Sequence, residues 1–153
     1  MAHSFPTRRS SDLYREAWKK AGHPGEGEIY LRVPVYVAGT DEAAREEPRE
    51  SILHLLRTIG ANLAASANLA SARAIENRAE RGAKMMSIDY EEVLRERMIV
   101  GTPARVIARL KELEEQLGLD GILAELNPGS RIPHTQVMTA LRLLCEEVIP
   151  AFK

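Results

Sequence analysis

Residues 100–126, VGTPARVIARLKELEEQLGLDGILAEL, decide the fold. Thr102 is a residue type that caps helices, and Pro103 suits the first helical position, where its missing N–H costs nothing. Val106, Ile107, Leu110, Leu113 and Leu117 recur at helical spacing and predict a buried stripe. Gly118 tolerates the left-handed conformation that ends a helix, and Leu119 can fold back on the last turn. Asp120–Gly121 turns the chain into Ile122–Leu126, a short strand, mostly apolar as expected when both faces are covered. A capped helix feeding such a strand is the pattern of a βα protein with parallel strands.

Upstream, Ile29–Val37, IYLRVPVYV, is the clearest strand. Ile29, Leu31, Val33, Val35 and Val37 fall on one face, and Tyr30, Arg32, Pro34 and Tyr36 on the other. Pro34 removes a ladder donor, so it requires a bulge or an unpaired edge there. Thr40 is placed to cap the next helix, with Asp41 and Glu42 at the positive end of its dipole. Pro48 interrupts or restarts that helix, after which Ile52, Leu55, Leu56 and Ile59 share a face. Ala61–Ala83 is alanine-rich, high in helix propensity and low in packing payload, as in an inserted helical segment or excursion. Asp89–Arg97 reads as a short polar helix. Downstream, Asn127–Ser130 is a loop, and Pro133 starts a final helix with Val137, Leu141, Leu144 and Val148 inside; Pro150 ends it. At the other end, Tyr14–Ala21 reads as the end of a helix, broken by Gly22, Pro24, Gly25 and Gly27.

The chain has 153 residues and a net charge of −1, so no global electrostatic term favours nucleic acid or an anionic membrane. Trp18 is the only tryptophan, which argues against a base-stacking surface. Cys145 is the only cysteine; an intrachain disulfide is excluded, which fits a reducing cytoplasm. Its place in an apolar stretch predicts a buried structural thiol. No apolar run approaches the roughly 18 residues of a membrane span.

Two strands separated by helices cannot make a stable parallel sheet by themselves, because each needs neighbours. A complete (β/α)8 barrel of the TIM type needs about 250 residues. The expectation is therefore the carboxy-terminal part of such a barrel, mostly helical with about two parallel strands, carrying a helical insertion around residues 61–98. The start of the chain points the same way. Phe5–Leu13, FPTRRSSDL, resembles the translation of a sequencing-adapter oligonucleotide. On that reading residues 1–13 are a non-native, disordered leader, and residues 14–153 are the closing βα units of a longer protein. The bland alternative is a short disordered arm.

From Asp89 onward, the strings IVGTP before a helix, LGLDGILAELN as the last strand, and IPH opening a helix that closes in EEVIPAF resemble the carboxy-terminal end of luciferase-like flavin-dependent oxidoreductases. VPVYVAGTDEAA resembles the preceding strand and helix start of the same family. The resemblance implies a TIM-type barrel, reduced flavin mononucleotide (FMN) as cofactor, and dioxygen activated to oxidise a small organic substrate. A related branch uses the deazaflavin F420 for hydride transfer. The resemblance also brings a flavin reductase and self-association into view as partners. Most flavin contacts in the family come from earlier strands, so no catalytic residue is carried over.

In barrels, chemistry sits at the carboxyl ends of the strands. That makes Glu125, Asn127, Arg131 and His134 the candidate cofactor-binding residues here. Glu125 and Asn127 are two apart and share a strand face; Arg131 and His134 flank a helix start that suits an anion. Their bland readings are loop hydrogen bonding, helix capping and plain surface positions. No metal-ligand spacing is present. Ser87–Val100 occupies the place of a mobile loop in the family, or is an ordinary connector. A competing reading from another class is a small helical interaction module with no catalysis.

Overall fold

A computed structural model describes residues 8–66 and 72–153. Alternation in IYLRVPVYV produces β1 (Tyr30–Val37), preceded by α1 (Arg8–Lys20). Then follow α2 (Asp41–Glu46), α3 (Arg49–Ala65), α4 (Ala72–Met86), α5 (Tyr90–Glu96), β2 (Ile99–Gly101), α6 (Pro103–Leu117), β3 (Gly121–Glu125) and α7 (His134–Leu143). A π-helical turn, Leu144–Val148, and a 3-10 turn, Ile149–Phe152, continue α7.

The strands form one parallel sheet of three in the order β2-β1-β3. The sequence predicted two. The third, β2, has only three residues, too few to show a period before the helix start at Thr102. Val35–Val37 of β1 pair with Ile99–Gly101, whereas Tyr30–Pro34 pair with Gly121–Glu125. Pro34 thus stands where the ladder changes partner: the β2 pairing begins one residue later. The proline meets its need for an unpaired edge without a bulge. In a barrel wall, successive strands neighbour one another in chain order. Here β3 takes the free edge of β1, where five register partners are available, rather than the three-residue β2.

The odd residues Leu31, Val33, Val35 and Val37 pack on Val106, Leu110, Leu113 and Leu117 of α6 and on Leu144 and Val148. This is the stripe read from the sequence, with Ile107 at its margin. Each such side chain contributes about 1.5–3 kcal/mol relative to exposure. Gly118 closes α6 at φ 64°, its N–H donating to the Glu114 carbonyl at 2.8 Å. Thr102 occupies the N-cap with extended backbone but makes no side-chain capping bond, in contrast to Thr40, whose Oγ1 accepts from the Ala43 N–H at 3.1 Å. On the other sheet face Tyr36 is buried among Ala38, Ala44, Ile132 and Ala140, while Tyr30 and Leu123 stay exposed. A further cluster joins Ile52 and Leu56 of α3 to Tyr90, Val93 and Met98. Ser87–Val100 is therefore largely helix and strand, anchored by buried side chains.

α3 and α4 cross closely at two glycines. A Cβ built on Gly60 would lie 2.7 Å from the Gly82 carbonyl oxygen, and one built on Gly82 equally close to that of Gly60. The low side-chain bulk of this segment is what lets the backbones meet. Residues 67–71 of the expected insertion, and residues 1–7 of the expected leader, lie outside the described residues.

Other expectations are corrected in detail. The helix read from Tyr14 begins at Arg8, so residues 8–13, expected to be disordered, are helical. Arginines tie this helix to the carboxyl end of α6, where free carbonyls favour cations. Arg8 Nη1 donates to the Glu115 carbonyl at 3.0 Å, and Arg15 Nη2 to that of Gly118 at 2.9 Å. Ile59 is exposed rather than part of the α3 inner face. Cys145 is also exposed, against the expected burial. Successive residues of a helical turn point in different directions, which turns it away from the side on which Leu144 is buried. Pro150 lies within the 3-10 turn instead of ending the helix.

Candidate functional site

Parallel strands bring Ala38–Thr40, Gly101–Thr102 and the loop after Glu125 to the carboxyl side of the sheet. Ala38 N–H donates to the Gly101 carbonyl at 3.2 Å, joining the first two strand ends. Asp41 bridges them further. Its Oδ1 accepts from the Thr102 N–H at 3.4 Å, and its Oδ2 lies 3.1 Å from Arg105 Nε. A shallow polar cavity of about 320 Å³ opens beside this pair, lined by Asp41, Arg45, Glu91, Arg95, Gly101 and Arg105 among others.

Two phenols are buried on neighbouring elements, Tyr36 of β1 and Tyr90 of α5. Tyr36 donates to Glu47 Oε2 at 2.5 Å, and burial, followed by that carboxylate, pushes its pKa far above the ordinary value. Tyr90 donates to the Arg45 carbonyl, and the Arg49 guanidinium lies 5.1 Å from its ring centroid. Burial first, and the charge of Glu46 next, raise its pKa to about 12. Both hydroxyls are neutral donors at any physiological pH.

The four sequence candidates do not converge. Glu125 ends β3 and forms an ion pair with Arg32 of β1. Asn127 lies beyond the strand. Its Oδ1 accepts from the Ile132 N–H at 3.0 Å and its Nδ2 donates to the Ile132 carbonyl at 3.2 Å, which closes the loop on itself. Arg131 pairs with Glu50 at 2.8 Å. His134 is exposed at the first position of α7. Asn127 and Arg131 meet instead at Ser51, a buried residue in the first turn of α3. Its hydroxyl donates to the Pro128 carbonyl at 2.6 Å and accepts from the Arg131 N–H at 2.9 Å. Sequence reasoning missed Ser51, because a serine in a first helical turn carries no signal of a partner 80 residues away. It also missed the bridging role of Asp41, visible only as a favourable dipole charge.

A larger cavity, about 550 Å³, lies between α6, β3 and the carboxy-terminal turns, lined mainly by Leu110, Leu119, Ile122, Leu144, Val148 and Phe152. It reaches the start of β3, away from the end at which barrels do their chemistry. Among the described residues, no group of three or more His, Cys, Asp or Glu is placed to hold a metal, and no helix is long and apolar enough to cross a membrane.

No curated protein sequence matches the chain. Among solved structures, it is similar to monooxygenase RslO1 from Streptomyces bottropensis, with a TM-score of 0.59 at 22% identity, over 98% of this chain and 40% of that one. The likeness is one of fold, and this chain spans about 40% of that protein's length. The profile of the luciferase-like monooxygenases matches residues 5–121. Beyond Gly121, β3 and α7 rest on the structural likeness. With a TIM-barrel type of fold, three parallel strands of a partial sheet, and a profile match over well more than half of its length, the chain belongs to the luciferase-like monooxygenase family.

Proposed function

We propose that this chain forms part of a flavin-dependent monooxygenase, in which reduced FMN and dioxygen oxidise a small organic substrate. The observation that carries the reading is the family match over residues 5–121. Bound flavin would supply the activation of dioxygen. Three of the candidate residues are engaged within the chain: Glu125 by Arg32, the Asn127 amide by Ile132 and Arg131 by Glu50. The contribution of this chain is a wall of the barrel and its strand-end loops, while the cofactor contacts come from further βα units. Both outer edges of the sheet are unpaired among the described residues and are open to further strands. The setting is a cytoplasmic one, with a flavin reductase as a fitting partner and self-association compatible with the open edges.

The test has two stages. Titration of the purified 153-residue chain with FMN is expected to give no micromolar binding; such binding would show that the cofactor site has been placed wrongly. The reading frame upstream is then recovered, and the longer protein is assayed with FMN and with F420. Flavin binding with substrate-dependent oxygen uptake supports the proposal. Hydride transfer with F420 and no oxygen uptake replaces it with the deazaflavin reaction. An upstream frame lacking further βα units overturns it.

A further inference from the structure

The loop after β3 combines two features. First, it contains one strained residue. The Pro128–Gly129 pair suits the centre of a turn, with Gly129 at φ +88° and the Ser130 N–H donating to the Asn127 carbonyl at 3.0 Å. Ser130, at φ 58°, is the one non-glycine residue with positive φ among the described residues. Second, it is fastened from outside. Ser51 is 1% exposed, and its hydroxyl, buried beneath the loop, takes the Arg131 N–H and gives its own proton to the Pro128 carbonyl. Gly129 closes over the same residue: a Cβ built there would lie 2.0 Å from the Ser51 carbonyl oxygen, a backbone atom that cannot swing aside. The neighbouring Arg131–Glu50 pair is exposed and adds little by itself.

From this geometry we infer that Ser51 and Gly129 form a latch, which couples the carboxyl-end loop Asn127–Ile132 to the base of the α3–α4 helical hairpin, so that the two open and close as one unit. Ser51 is thus a positioning residue. It fixes where the strand-end loop stands while lying outside it, and displacement of the hairpin base reaches the loop through the Ser51 hydroxyl and the close contact of Gly129 with the Ser51 carbonyl. The effect on catalysis rests on the proposed monooxygenase reading, whereas the coupling itself does not.

Hydrogen exchange on the full chain tests the coupling directly. In the wild-type protein, exchange under rising sub-denaturing urea should show the Arg131 amide opening together with that of Ile52, which bonds to the Pro48 carbonyl in the first turn of α3. Different urea dependences for these two amides refute the coupling. Ser51→Ala should speed exchange at Arg131 about tenfold to a hundredfold, the range expected when a buried partner is deleted, and leave Val33 and Val35 unchanged. Gly129→Ala leaves the hydroxyl intact but wedges the same contact apart, and should give the same local signature. In the double variant the acceleration should not exceed that of the stronger single one, as for residues acting as one device. Unchanged exchange at Arg131, uniform acceleration that includes β1, or additive effects overturn the inference. The wild-type measurement decides if a variant fails to fold.

Discussion

Tyr90 gives the fold a built-in weakness at alkaline pH whose size follows from its surroundings. It opens α5 with 5% exposure, donates its hydroxyl to the Arg45 carbonyl, and packs its ring under Arg49. Burial, then the negative charge of Glu46, raises its pKa from 10.0 to about 12, and Arg45 and Arg49 only partly offset this. A folded-state pKa above the unfolded one means that the folded protein holds this proton more tightly. The contribution is fully present below pH 10 and is lost as pH rises towards about 12. Each tenfold gain in proton affinity is worth about 1.4 kcal/mol, so the full loss is at most about 3 kcal/mol. The clean comparison is wild type against Tyr90→Phe, by urea denaturation from pH 8 to about pH 12. At pH 8 the phenylalanine variant should be less stable by about 1 kcal/mol, having lost one hydrogen bond to a backbone carbonyl. As pH rises it escapes the ionisation that unsettles the wild type, so the two stabilities should cross and stand about 1 kcal/mol apart in the opposite sense by about pH 12. Lysine deprotonation and the similarly raised Tyr36 act on both proteins and cancel in the difference. A difference that stays constant from pH 9 upward would refute the reasoning.

Two further outcomes follow from local geometry. Gly118→Ala should cost about 1–2 kcal/mol in urea unfolding, because the left-handed conformation penalises a Cβ; the Arg15 Nη1 atom 2.8 Å from that Cβ belongs to a flexible side chain and can move. Gly118→Asn should lose less, and equal losses would point to Arg15 instead of the backbone. Cys145, being exposed, should react with an aromatic disulfide reagent in the native protein within about tenfold of its rate in denaturant; a thiol protected until unfolding would place the last helical turns wrongly.

Much of the fold was legible because it depends on short-range periodicity. The alternation of IYLRVPVYV, the stripe Val106–Leu110–Leu113–Leu117 and the glycine stop at Gly118 each contain their own physical reason, and each stands where it was read. β2 was not legible, since three residues contain no period and become a strand only when Val35–Val37 offer a ladder. The burial of Cys145 was misread for a related cause: an apolar neighbourhood in sequence does not say which way one residue on a helix points.

The candidate site divides along the same line. Sequence alone determined that parallel strands would bring Asn127 and Arg131 to the carboxyl end, because a helix between two strands leaves few other topologies. Only the tertiary structure decided what they do there. The Asn127 amide turns back on Ile132, and Arg131 reaches Glu50 while its N–H finds Ser51. Hydrogen bonds between residues 80 positions apart depend on how whole helices are placed, and no local pattern carries that information.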